Sequence, residues 1–114
     1  MKEVGMDVVD RARNGYGKRI AIDEALHHRV LARRNWTLGL WAASLIGLEE
    51  ADARSLAGIL VDEEPDDDVI AKALGAEFLR AHVEVSERRI RRRMEEDFTR
   101  AEADVLAGRA PAAR

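Results

Sequence analysis

Two arginines, an asparagine and a tryptophan stand in a row at Arg33, Arg34, Asn35 and Trp36, and a second tryptophan follows at Trp41. A guanidinium grips phosphate or carboxylate through paired N–H donors, and an indole face stacks on a flat aromatic group. Arg33 or Arg34 beside Trp36 is therefore a candidate site for an aromatic base carrying a phosphate. A plainer reading competes with it: tryptophans at helical spacing are usually core. Trp36 and Trp41, five residues apart, face different sides of a helix, so one can anchor a core while the other packs a second helix or a ligand.

Other residues with chemical potential point away from catalysis. His27 and His28 are adjacent, hence about 100° apart on a helix, and cannot share a metal from one face. His82 falls in a turn, where a hydrogen-bonded loop role is the ordinary one. The acidic turn "DEEPDDD" (62–68) lacks the alternating ligand spacing and internal glycine of a calcium loop, and reads as a solvated turn. No glycine-rich phosphate loop, HExxH or nucleophile elbow occurs. No catalytic residue, metal site or required cofactor is expected. "RRIRRRM" (88–94) carries five arginines, a density that raises nucleic-acid binding. Glu87, Glu95, Glu96 and Asp97 lie within one or two turns and can pair with them, and the chain is net acidic at -3, so a salt-bridged surface is the expectation.

The elements that must position these residues are helices. The 114 residues suffice for one domain; they are 46% apolar and 36% charged but only 4% aromatic, which favours helix-forming surface over an aliphatic core. Cysteine is absent, fitting a reducing compartment such as the cytoplasm. The longest uncharged run, Asn35 to Leu48, has 14 residues, short of the roughly 20 that a spanning helix requires. No secretory signal is visible, and no membrane insertion is expected. Charge is segregated: residues 11–35 hold seven Arg or Lys against Asp23 and Glu24, whereas residues 49–68 hold nine acidic side chains against Arg54. Such polarity can orient a partner, although a surface whose charges simply face water gives the same pattern.

Residues 1–22 show no convincing amphipathic period, and Gly5, Gly15 and Gly17 each cost a helix roughly 1 kcal/mol relative to alanine. They are expected to form a mobile arm. Asp23 can cap a helix running to Ile46 with Gly47 as its stop. Its second half is apolar nearly all round, with Leu31, Leu38, Trp41 and Leu45 on one ridge and Trp36, Leu40 and Ala43 on another, and must be central. A second helix is expected over 49–62, with Leu48, Leu56, Ile59 and Leu60 inward. Pro65 suits the first turn of a third, which carries Ile70, Leu74, Phe78 and Ala81. Ser86 is a good cap for a fourth, whose inward face is Ile90, Met94, Phe98, Ala101 and Val105. The expected architecture is all-α: a small four-helix bundle over 23–107, a mobile N-terminal arm over 1–22 and a disordered tail over 108–114.

With these elements in place, "DEALHHRVLARRNWTLGLWAASLIG" (23–47) resembles the signature of the zeta subunit family, the ATPase inhibitors of certain bacterial F-type ATP synthases. That signature has an acidic pair, a leucine, "ARRN", and "LGLWAA-L-G". "DDDVIAKAL" and "VEVSERRIRRRM" look like the family's third-helix start and its capped, basic fourth helix; the likeness spans about residues 23–106. The resemblance implies a bundle that attaches to the catalytic head of the synthase, and hence a cytoplasmic protein peripheral to the inner membrane; the free protein is expected to be monomeric. In the family, the segment leading into the first helix enters an interface between catalytic and non-catalytic subunits near the rotor shaft and blocks rotation in the hydrolytic direction. ATP or ADP is implied as a regulatory ligand. The residues carried over for inhibition are Tyr16, Lys18, Arg19, Ile20 and Leu26; Arg33, Arg34, Asn35 and Trp41 match the signature. The family's arm is typically continuous with helix one and carries phenylalanines, where this chain has Tyr16, Ile20 and the intruding Gly15 and Gly17. A divergent paralogue with lost inhibition, acting as a nucleotide-binding or protein-binding module, therefore stays open beside the inhibitor.

Overall fold

The computed structural model describes the backbone of residues 3–111 and the side chains of residues 23–111. Four helices follow one another: α1 Glu3–Ile46, α2 Glu50–Glu63, α3 Asp67–Arg80 and α4 Glu87–Leu106. Helix α1 passes through Asp23 without a break, so this residue is not the cap that its side chain permits. The expected arm is therefore helical and continuous with the bundle from Glu3 onward; residues 1–2 and the side chains of residues 1–22 lie outside the described residues.

Local chemistry ends each helix. Gly47 adopts φ 86°, and the Leu48 N–H reaches back to the Ala43 carbonyl at 3.0 Å, a left-handed stop of the kind that favours glycine. Gly108 stops α4 in the same way at φ 71°, with the Arg109 N–H on the Asp104 carbonyl at 2.9 Å. Ser86 caps α4 as its sequence position implies, its hydroxyl accepting from the Arg89 N–H at 3.1 Å. At the other junction the sequence reading is two residues early: Pro65 precedes Asp66, the N-cap of α3, because α2 persists to Glu63 and turns through Glu64 at φ 43°.

The main core joins Leu38 and Ala42 of α1, Leu60 of α2, Ile70, Ala71, Leu74 and Phe78 of α3, and Ile90 and Met94 of α4. The apolar second half of α1 is the central element, as its all-round hydrophobicity requires. A smaller cluster lies further toward the N-terminal side of α1, where Val30 meets Ala101 and Val105 near the end of α4, flanked by Leu26 and Phe98. Helices α1 and α4 are thus antiparallel neighbours along their shared length.

Helix α2 departs in part from its expected inward face: Leu56 and Leu60 pack on the main core as expected, but the other two residues do not. Leu48 and Ile59 are exposed at 37% and 51%, while Ala57 and Leu60 are buried. The cause lies across the interface: a Cβ on Gly39 of α1 would stand 2.6 Å from the Ala57 Cα. The two backbones approach through glycine and alanine, and that close approach rotates the small face of α2 inward at the expense of the bulkier one. Phe98 is only half-buried, whereas Asp97, expected among the surface charges, is 4% exposed.

Candidate functional site

The five signature residues of α1 do not form one site; the helix distributes them over three environments. Arg34 occupies the position one turn before Leu38 on the core-facing stripe and is 3% exposed. Its Nη2 donates to Asp67 Oδ1 at 2.8 Å, and its Nε donates to Asn35 Oδ1 at 3.0 Å. Asn35, fully buried, donates in turn from Nδ2 to the Leu60 carbonyl at 2.9 Å. The same carbonyl accepts from the Glu64 N–H at 3.1 Å. Arg34 and Asn35 therefore lock α1 onto the end of α2 and the first turn of α3. These bonds hold both side chains within the fold, and their burial makes this polar network costly to break.

Trp41 lies elsewhere. Its ring meets Phe78 edge-on with centroids 5.6 Å apart, and the Arg89 and Arg93 guanidiniums stand 6.0 and 5.5 Å from its centroid. The indole is the seam between α1, α3 and α4, held by apolar packing on one side and by cation–π attraction from α4 on the other. The arginine-rich run of α4 is engaged along much of its length. Arg91 bonds both Glu87 and Asp68 at 2.9 Å, Arg92 faces Glu96 at 3.9 Å, and Arg93 holds Asp97 at 3.0 Å. This is the salt-bridged surface that the spacing of the charges implies.

Arg33 and Trp36 remain together on a third side. They line a cleft of ≈ 420 Å³ between α1, α2 and α4, together with the exposed Arg29 and Arg100, the apolar Val61 and Ala101, and Ala110 and Pro111 of the C-terminal segment. Trp36 is buried, at 7% exposure. Asp97 and Asp104 also face this cleft. Burial pushes the Asp97 carboxyl above its usual range, against the opposing pull of its bond to Arg93 and the charge of Arg100. Three arginines around an aromatic and aliphatic floor can hold an anion that carries a flat apolar group. Of the residues proposed from sequence for such a ligand, Arg33 and Trp36 are brought together and Arg34 is turned away.

The structure adds Arg29 and Arg100, which sequence reading passes over. Arg29 precedes Arg33 by one turn and could have been found by that spacing; Arg100 comes from α4 and carries no local signal. The adjacent histidines have separate surroundings. His27 tilts over Phe98 with centroids 6.0 Å apart, and His28 Nδ1 lies 2.9 Å from Glu64 Oε1. Leu26 is half-buried beside the Val30 cluster. Tyr16, Lys18, Arg19 and Ile20 have side chains outside the described residues.

Among the described residues no helix is long and apolar enough to cross a membrane, and no group of three metal-ligating side chains is found. No curated protein and no solved structure matches the chain. The family model described as ATPase inhibitor subunit zeta, in contrast, matches residues 6–104, which takes in the segment before the bundle as well as all four helices. On that match, the chain belongs to the ATPase inhibitor subunit zeta family.

Proposed function

We propose that this protein is a regulatory subunit of a bacterial F-type ATP synthase that binds the cytoplasmic catalytic head and suppresses ATP hydrolysis through its N-terminal segment. The observation that carries this reading is the extent of the family match: residues 6–104 include the basic segment ahead of Asp23 together with the bundle. The inhibitory contact is made by Tyr16, Lys18, Arg19, Ile20 and Leu26 at the interface of a catalytic and a non-catalytic subunit near the rotor shaft. No catalytic residue is required for that task. A helix lodged between subunits that change their angle during each turn has only to bind one rotational state more tightly than the others. Two features support it: the Arg34–Asn35 lock, which fixes the inward half of α1 to α2 and α3, and the segregation of basic residues 11–35 from acidic residues 49–68.

The test is reconstitution with a synthase depleted of this subunit. Added full-length protein lowers steady-state ATP hydrolysis and leaves proton-driven synthesis intact. Unchanged hydrolysis at saturating protein would remove the inhibitory role and leave the divergent paralogue, a bundle retained for binding alone.

A second reading attaches to the Arg33–Trp36 cleft. Its three arginines around an indole favour ATP or ADP as a regulatory ligand, the phosphates at Arg29, Arg33 and Arg100 and the base against the apolar floor. Isothermal titration of the purified chain with ATP checks this, with binding lost in Arg33→Ala and retained in Arg88→Ala.

A further inference from the structure

The C-terminal segment does more than end α4. Gly108, at φ 71°, reverses the chain, and the Arg109 N–H bonds back to the Asp104 carbonyl at 2.9 Å. The Arg109 guanidinium pairs with the Asp104 carboxylate. Across the gap, Arg33 Nη2 donates to the Arg109 carbonyl oxygen. Ala110 and Pro111 then form a wall of the same cleft that Trp36 and Arg33 line. Residues 108–111, expected to be part of a disordered tail, are therefore docked onto α1 by a hydrogen bond, braced on α4 by an ion pair, and aimed by a glycine turn. Residues 112–114 lie outside the described residues.

From this arrangement we propose that residues 108–111 are a flap over the Trp36 cleft, and that an anionic ligand of the cleft must displace it. The proposal rests on the second reading above, that the cleft takes an adenine nucleotide. The competition follows from the use of one group twice. Arg33 is the cleft arginine whose Nη2 donates to a backbone carbonyl of the flap; its guanidinium keeps other N–H donors, but a phosphate oxygen seated at Nη2 takes the place of that carbonyl. Binding to a protein whose open form is a fraction of the population is weakened by that fraction. The flap also links residues 108–111 to α1, since its release frees Arg33 Nη2 for the ligand and removes a contact between α1 and the end of α4.

The test compares the full chain with a form ending at Gly108 and with Gly108→Ala, whose Cβ disfavours the left-handed turn but removes no flap atom. Two readouts are needed. In a Trp41→Phe background, acrylamide quenching of Trp36 reports whether the flap covers the cleft, with or without nucleotide. Calorimetric titration with ATP reports competition. Shortening the chain is expected to raise quenching and tighten ATP binding about three- to tenfold, the scale of one ordinary solvent-exposed hydrogen bond; Gly108→Ala moves both in the same direction by less. Unchanged quenching overturns the flap. Raised quenching with equal ATP affinity in all three proteins overturns the competition. Raised quenching with no ATP binding by any of them sinks the nucleotide reading and, with it, the competition, while the flap itself stands.

Discussion

The two described halves of α1 are held by different means. From Arg34 to Ile46 the helix is enclosed: Leu38 and Ala42 are fully buried in the main core, Gly39 lies against the backbone of α2, and Arg34 and Asn35 tie it to α2 and α3. From Asp23 to Arg33 one face alone is covered, by Val30 and its neighbours near the end of α4, while Glu24, His28 and Arg29 are exposed. The contrast teaches how a small bundle can present a helix. Apolar area and satisfied buried bonds fix one half, and a narrow apolar stripe holds the other.

The contrast can be broken first at the enclosed half. Leu38→Ala removes a fully buried side chain from the main core and is expected to cost about 2–5 kcal/mol in denaturant unfolding. Gly39→Ala comes next. Its added methyl meets the Ala57 backbone, which cannot swing aside as a side-chain end can, so a loss of about 1–3 kcal/mol is expected. A neutral Gly39→Ala would show that α1 and α2 are not in such close contact. Val30→Ala, in the half covered on one side, is expected to cost about 1–2 kcal/mol. Hydrogen exchange should rise mainly between residues 23 and 33 and leave α3 protected, because the small cluster opens without the main core.

The smallest effect is electrostatic. The hydrogen bond to Glu64, followed by the charge of the same carboxylate, raises the His28 pKa above 6.5. A raised folded-state value means that the pair contributes fully below the ordinary histidine range and is lost as pH rises through the raised value. An NMR titration should find His28 titrating above 6.5, and Glu64→Gln should lower it. An unchanged midpoint in that variant would remove the link between α1 and the α2–α3 turn.

Much of this division was legible in the sequence. The all-round apolar character of Trp36 to Leu45 forced that half to the centre, Gly47 and Ser86 marked helix ends, and the steps Ile70, Leu74, Phe78 gave the inward face of α3. What was not legible depends on groups brought together from distant positions. The exposure of Ile59 follows from Gly39 choosing the facing residues of α2, and no property of α2 alone reveals it. Arg34 reads as a rim cation because arginine is usually solvated, yet it stands four residues before Leu38 on one stripe, and Asp97 stands between Met94 and Ala101 in the same relation. Periodicity could have placed both inward; residue type argued the other way, and Asp67 and Arg93 are the partners that decide it. The cleft was half visible, since Arg33 and Trp36 are neighbours in the chain, whereas Arg100 and the C-terminal wall reach them only through the antiparallel pairing of α1 with α4.

On the proposed function the bundle anchors and the segment before Asp23 inhibits. The most direct measurement is ATP hydrolysis by the subunit-depleted synthase with the full-length protein and with a form lacking residues 1–22, whose folding is verified by circular dichroism. Suppression by the full-length protein and none by the shortened bundle is the expected result. Equal suppression by both forms would contradict it and move the inhibitory surface onto the bundle itself.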